Sequence, residues 1–79
     1  MANFIIEKEV SLGNDGEYKL CFHFGKYEYD NGTSEEGYRF IWRRDDGSLQ
    51  AARGQTRIPS IADMLELLSK AIREGWDIH

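Results

Sequence analysis

Cys21 and His23 are the most reactive pair of side chains in this sequence, and they lie two residues apart. On a β-strand, that spacing turns both side chains to the same face, so both can meet one ligand. A catalytic thiolate also needs a base within hydrogen-bond reach and a third group that orients the base. No motif supplies that group or an oxyanion hole. We therefore predict no catalytic residue and no enzymatic activity.

The same pair is the best candidate for a metal site, but it supplies two ligands where three or four are usual. His79 and Asp77 stand at the far end of the sequence. Cys21 is the only cysteine, so the chain forms neither an internal disulfide nor a multi-thiolate zinc site. No glycine-rich cofactor loop is recognisable. We predict neither a bound metal nor a cofactor.

Arginine is concentrated in residues 39–57, which carry five arginines against two acids, although the whole chain has a net charge of −4. Arg53, Thr56 and Arg57 lead into a predicted helix, whose N-terminus attracts anions. They form a candidate anion-binding loop, and a solvated strand-to-helix connection is the alternative. Arginines also bind nucleic-acid phosphates. The acidic remainder of the chain disfavours that function, which is kept as the alternative.

Alternating apolar residues predict the strands that position these side chains. They are Phe4, Ile6, Val10 and Leu12 in the first strand, Tyr18, Leu20, Phe22 and Phe24 in the second, Tyr38, Phe40 and Trp42 in the third, and Leu49 and Ala51 in the fourth. Gly25 indicates a bend or bulge, and residues 30–37 read as a polar loop. A two-residue turn at Asp46-Gly47 would place Trp42 opposite Ala51. We predict a four-stranded antiparallel sheet in hairpin order.

The last third of the chain predicts one amphipathic helix. Ser60 is a suitable N-cap with Asp63 three residues later, and Gly75 is a suitable C-terminal glycine. At 100° per residue the apolar side chains gather in one arc, which we expect to bury against the sheet. The arc contains Ile61, Met64, Leu65, Leu68 and Ile72, extended by Leu67 and Ala71.

The sheet face away from this helix is the candidate binding surface. Strand parity places there His23, Arg39, Ile41, Arg43 and Gln50. An open face that mixes apolar and basic groups suits a partner. The alternative is a solvated face on which Glu7 and Glu9 pair with Arg39, Arg43 and Lys19.

These patterns together predict one α+β domain over residues 1–79, with the helix packed on one face of the sheet. We expect a small binding module without enzymatic activity that acts on a protein partner through the open face or an edge strand, a second copy of itself being one candidate. The lone cysteine and the absence of a signal peptide or an apolar span favour a cytoplasmic protein that does not enter the membrane.

Overall fold

The computed structural model describes residues 3–14, 16–50 and 56–76. Three strands, β1 (Asn3–Leu12), β2 (Lys19–Glu28) and β3 (Ser34–Arg43), precede one helix, α1 (Ile61–Arg73). The strands are antiparallel in the order β1-β2-β3, so β2 is central. The predicted α+β class with an antiparallel sheet and one C-terminal helix is confirmed. No helix within the described ranges is long and apolar enough to cross a membrane.

The predicted fourth strand is wrong. After β3, the described residues add only one isolated bridge, between Arg43 and Leu49. Ala51, the other predicted member of that strand, lies outside the described residues. The predicted register is also wrong by one residue, because the Gln50 N–H donates to the Trp42 carbonyl at 2.8 Å.

The geometry of the turn after β3 causes this shift of register. The Arg44 N–H donates to the Ser48 carbonyl at 2.7 Å, and the Gly47 N–H donates to the Arg44 carbonyl at 2.9 Å. Gly47 has a φ of +90°. A tight turn followed by a glycine of positive φ makes a three-residue hairpin loop, where we expected two residues. One additional residue in a loop moves every following side chain to the other face.

The same turn connects β2 to β3. The Tyr29 N–H donates to the Thr33 carbonyl at 2.9 Å, and Gly32 has a φ of +86°. Asn31 Oδ1 accepts from the N–H and hydroxyl of Thr33, as Asp46 Oδ1 does from Ser48. The prediction of a polar loop over residues 30–37 is therefore wrong in its length, because residues 34–37 belong to β3. Because the turn closes at Thr33, β3 begins at Ser34 and pairs at once with Glu28.

A β-bulge in β1 divides that strand into two parts. Ile6 pairs with Gly25 and Lys8 with Phe24, so Glu7 is the additional residue between them. On the N-terminal side of the bulge, Phe4 and Ile6 therefore share a face with Tyr27 and Gly25, their partners on β2. The expectation that all four apolar residues of β1 share one face is wrong for these two, because a one-residue slip exchanges the faces.

The core lies between α1 and the face of the sheet that we name the covered face, defined by Val10, Leu20 and Phe22. α1 packs on β1 and β2. The buried core residues are Val10, Leu20, Phe22, Leu67, Ala71 and Trp76, with Leu12, Phe24, Phe40, Trp42 and Ile58 packed around them. Lys70 Nζ also donates to the Ser11 carbonyl at 2.8 Å, which ties the helix to β1.

Both predicted ends of α1 are confirmed. The Ser60 side chain accepts from the Asp63 N–H at 3.1 Å and caps the first turn. At the other end, Gly75 has a φ of +86°, and the Trp76 N–H donates to the Ala71 carbonyl at 3.1 Å. This is a Schellman closure. It returns the chain toward the sheet, where the Trp76 ring stacks on Phe22 with 5.6 Å between ring centroids.

The predicted burial of the helical arc is wrong for more than half of it. Within α1, only Leu67 and Ala71 are buried. Four large apolar residues on the same helix remain exposed: Ile61 (73%), Leu65 (59%), Leu68 (37%) and Ile72 (56%). We name these four residues the apolar seam. The physical reason is width, because the apolar arc covers about 160° of the helix at 100° per residue, more than contact with one flat sheet can bury.

Candidate functional site

The face of the sheet opposite α1, which we name the open face, carries a polar cluster at its centre. This Glu9 cluster consists of Glu9, Cys21, His23, Arg39 and Arg43. Glu9, His23 and Arg39 lie side by side across β1, β2 and β3, because the register pairs each with the next. The sheet therefore positions an acid, an imidazole and a guanidinium in one row.

The Glu9 carboxylate is the common acceptor of this cluster. Glu9 Oε1 lies 2.8 Å from His23 Nε2 and 2.6 Å from Arg43 Nη2. The Cys21 thiol donates weakly to Glu9 Oε2, at 3.7 Å from the sulfur. The ion pair between Glu9 and Arg43 confirms one of the cross-strand pairs expected on a mixed-charge face.

The hydrogen bonds determine the tautomer of His23. Arg39 Nε lies 3.2 Å from His23 Nδ1. Because a guanidinium only donates, Nδ1 is the acceptor and the ring proton resides on Nε2, from which it is donated to Glu9. His23 is fully buried, yet both of its nitrogens are satisfied. Among the described residues, every buried side-chain nitrogen and oxygen has a hydrogen-bond partner.

Phe4 covers the cluster from the end of β1. The Arg39 guanidinium lies over the Phe4 ring, 4.0 Å from its centroid, and the Phe4 and His23 rings are stacked at 6.3 Å. A guanidinium on an aromatic face is attracted by the ring quadrupole. This contact exists because the bulge at Glu7 turns Phe4 to the open face. The alternation of β1 predicted Phe4 on the covered face. Gly25 of β2 was the signal in the sequence, but the bulge that it permits lies in the neighbouring strand, β1.

Burial and hydrogen bonding together set the protonation states of the cluster. Burial lowers the pKa of His23 below its usual value despite the adjacent carboxylate. Burial, with the Glu9 charge, raises the pKa of the Cys21 thiol. For Glu9, burial acts to raise the pKa, but the hydrogen bonds from Arg43 and His23 outweigh it and leave the pKa lowered. The resting state at neutral pH is thus a carboxylate, a neutral imidazole and a protonated thiol, a thiol poorly prepared for nucleophilic attack.

Three donor atoms that could hold a metal ion converge in this cluster, one more than the two predicted from the sequence. The donor atoms of Glu9, Cys21 and His23 lie within 4.8 Å of one another. A metal ion would displace the protons that Cys21 and His23 now donate to Glu9. It would also place a second cation beside the carboxylate that already pairs with Arg43 at 2.6 Å, with Arg39 next to it. The arrangement fits a self-satisfied network better than a metal centre.

The residues predicted to form a binding face occupy different environments. His23 and Ile41 are buried, at 0% and 4% exposure. Arg39 and Arg43 lie in the Glu9 cluster, and Arg43 also donates to the Gly47 carbonyl at 2.6 Å. Gln50 bonds to the backbone of Trp42, so the register places it on the opposite side of the sheet from Arg43. The structure therefore brings His23, Arg39, Ile41 and Arg43 together on one face and leaves Gln50 on the other. Most of the polar atoms of these four side chains already bond within the protein. The binding role of the five residues stays a prediction.

The candidate anion-binding loop is described only in part. Arg53 lies outside the described residues. Thr56 is half-buried and Arg57 is exposed. The Arg57 carbonyl accepts from Trp42 Nε1 at 2.8 Å, which ties the connection to β3. The anion-binding role of this loop stays a prediction.

The apolar seam is exposed, where the sequence predicted burial against the sheet. Its four residues follow one another at intervals of four, three and four along α1. Residues at such intervals form a stripe on one side of a helix. The small residues Ala62 and Ser69 border the stripe on one side and Met64 on the other. A continuous apolar stripe on a small protein is typical of a contact surface.

Comparisons of this chain with family models, curated proteins and solved structures find no match, so its own geometry is the basis for any function.

Proposed function

We propose that this chain is a small protein-interaction module that binds its partner through the apolar seam of α1. The observation that supports the proposal is the exposure of Ile61, Leu65, Leu68 and Ile72 on a helix whose two ends are capped. A capped helix presents its side chains in a defined arrangement before binding, which reduces the entropic cost of association. Helices that display anchors at such intervals bind in apolar grooves or against other helices.

The size of the seam indicates what the partner must provide. The exposed fractions of the four residues add to more than two whole aliphatic side chains. At about 1.5–3 kcal/mol for each fully buried side chain, the seam contributes roughly 3–7 kcal/mol. Association costs about 4–15 kcal/mol in lost freedom. The partner must therefore contribute an apolar surface of at least comparable size.

The Glu9 cluster supports a binding role without catalysis. Its thiol is buried and has a raised pKa, and its imidazole is held between a donor and an acceptor. The cluster stabilises the open face and joins all three strands. The edge strands β1 and β3 offer a protein partner a second contact by strand pairing.

No observation among the described residues favours the nucleic-acid alternative. Arg39 and Arg43 are engaged within the sheet, and Arg44 contacts Ser48. The net charge of −4 opposes association with a polyanion.

Site-directed photo-crosslinking in cells tests the proposal. A photoreactive amino acid at Ser69, beside the seam, should form an adduct, and the substitutions Leu65→Glu and Leu68→Glu should abolish it. Glu66, which is exposed and lies about 130° around the helix from the middle of the seam, is the matched control position and should give little adduct. Equal adducts at both positions, or an adduct at Ser69 that survives the two substitutions, would contradict a seam-mediated contact.

A further inference from the structure

We propose that the partner of the apolar seam is a second copy of this chain, with the two α1 helices packed antiparallel about a two-fold axis. This inference rests on the proposed function and specifies the partner. A two-fold dimer uses the same surface on both copies, so that surface must be complementary to itself.

The spacing of the seam meets this requirement. The intervals of four, three and four residues read the same in both directions about a midpoint between Glu66 and Leu67. An antiparallel two-fold pairing therefore sets Ile61 opposite Ile72 and Leu65 opposite Leu68 of the other copy. Each pair matches side chains of similar volume. Alternating intervals of three and four are also those at which helices pack along a shared seam.

The surroundings of the seam permit close approach of a second helix. Ala62 and Ser69 border it with small side chains. The nearest charged residues on that side, Glu66 and Arg73, lie roughly 110–130° around the helix from the middle of the seam. Glu66 lies beside the two-fold axis and near its counterpart in the other copy, but both side chains point away from the line of contact and stay in water. Burial of the seam in a dimer thus requires no charged group to lose its water.

The dimer does not compete with the fold of either copy. Leu67 and Ala71, which hold α1 on the sheet, point roughly 90–130° away from the middle of the seam. A second helix can contact the seam while both copies keep their cores intact. The contact also covers the apolar surface that the sheet leaves exposed.

The size of the contact sets the strength that we expect. Little more than two aliphatic side chains per copy is less than the roughly 800 Å² per partner of a standard interface. The dimer should therefore dissociate on dilution, and molecular mass should depend on concentration in the micromolar to millimolar range.

Sedimentation velocity between about 10 μM and 1 mM tests the dimer. We expect the mass of the wild type to rise from one chain to two, and the double variant Leu65→Glu/Leu68→Glu to remain at one chain. Ile5→Glu is the matched control, because Ile5 is also an exposed apolar residue, at 47%, but lies on β1. It should dimerise like the wild type. Circular dichroism of each variant establishes that it is folded.

Disulfide trapping tests the orientation. In an antiparallel pair, the two Ile61 residues lie about 16 Å apart along the helices, whereas Ile61 lies opposite Ile72. We expect Ile61→Cys chains alone to remain unlinked under oxidation, and an equimolar mixture of Ile61→Cys and Ile72→Cys chains to form linked dimers. Cys21 is buried and should not contribute. Linkage of Ile61→Cys alone would indicate a parallel pair and overturn the geometry, as would a mixture that fails to link.

A wild type that stays at one chain up to 1 mM would overturn the homodimer. The proposed function would survive if the adduct at Ser69 had the mass of this chain plus a different protein. It would fail as well if no seam-dependent adduct formed at all.

Discussion

At the scale of single residues, Glu9 determines the chemistry of the open face. One carboxylate accepts from an imidazole, a guanidinium and a thiol, and its charge is matched by Arg43. A buried histidine is costly unless both nitrogens are bonded, and Glu9 and Arg39 provide those bonds. The residue types of this cluster were visible in the sequence, but the convergence of their atoms on Glu9 was not.

Replacing Glu9 with Gln should lower the free energy of unfolding by about 1.5–3 kcal/mol, the usual contribution of hydrogen bonds to a charged group. The amide keeps the shape of the side chain but leaves Arg43 without its countercharge and cannot accept with both of its terminal atoms. Urea unfolding followed by circular dichroism measures the loss. Glu7→Gln is the control, since Glu7 is exposed at the bulge, and equal losses in both variants would contradict the role assigned to Glu9.

At the scale of elements, a bulge and a repeated turn decide which side chains meet. The bulge at Glu7 reverses the faces of β1 and brings Phe4 onto Arg39. It lies opposite Gly25, where a Cβ would contact the Ile5 carbonyl and come within 2.7 Å of Phe4 Cζ. The absence of a side chain at Gly25 is therefore what permits the close approach of β1.

Gly25→Ala should destabilise the protein by about 1–3 kcal/mol or more, because the methyl group overlaps the backbone of β1 and that strand must move. Gly37, its partner on β3, is the matched control. A Cβ there would lie 3.5 Å from the Tyr27 ring, an ordinary contact, so Gly37→Ala should be much milder. Thermal unfolding of both variants checks the difference, and similar melting temperatures would argue against the close approach.

Adjacent leucines on α1 provide a second test at this scale. Leu67 is fully buried against the sheet, whereas Leu68 is 37% exposed in the seam. Leu67→Ala should cost about 2–5 kcal/mol through lost burial and a cavity, and Leu68→Ala clearly less. Chemical denaturation at a protein concentration low enough to keep the chain monomeric compares them. A larger loss for Leu68→Ala would mean that α1 is rotated relative to the sheet.

At the scale of the whole molecule, the buried groups of the open face couple folding to pH. The pKa of His23 is lower in the folded chain than in the unfolded chain, and so is the pKa of Glu9. The unfolded state therefore takes up protons first as the pH falls, and both groups lose their stabilising contribution on acidification. The pKa of Cys21 is raised in the folded chain. Because the thiol of the unfolded chain ionises first as the pH rises, Cys21 lowers the free energy of unfolding at alkaline pH.

We expect the free energy of unfolding to be greatest between about pH 6.5 and 8.5, the usual pKa values of free histidine and cysteine. Below this range it should fall with decreasing pH, by up to about 1.4 kcal/mol per pH unit for each proton taken up on unfolding. Urea unfolding from pH 5 to 9 measures the profile. In His23→Gln the decline between pH 6.5 and 5 should flatten, and an unchanged decline would assign the effect to other groups.

The sequence by itself determined the chain-local features, because these depend on neighbouring residues. Alternation predicted β1, β2 and β3, and Ser60 and Gly75 predicted the ends of α1. The parity of β2 correctly placed Cys21 and His23 on one face. Hydrogen bonds over three or four residues and the geometry of glycine are sufficient for such predictions.

Only the tertiary structure decided the rest, because it depends on registers that one inserted residue reverses. The bulge at Glu7 and the three-residue loop ending at Gly47 moved Phe4 and Gln50 to faces opposite those predicted. The share of α1 that is buried is likewise a tertiary property. Periodicity predicts an apolar arc but not how much of it a flat sheet can cover, and that difference leaves the apolar seam exposed.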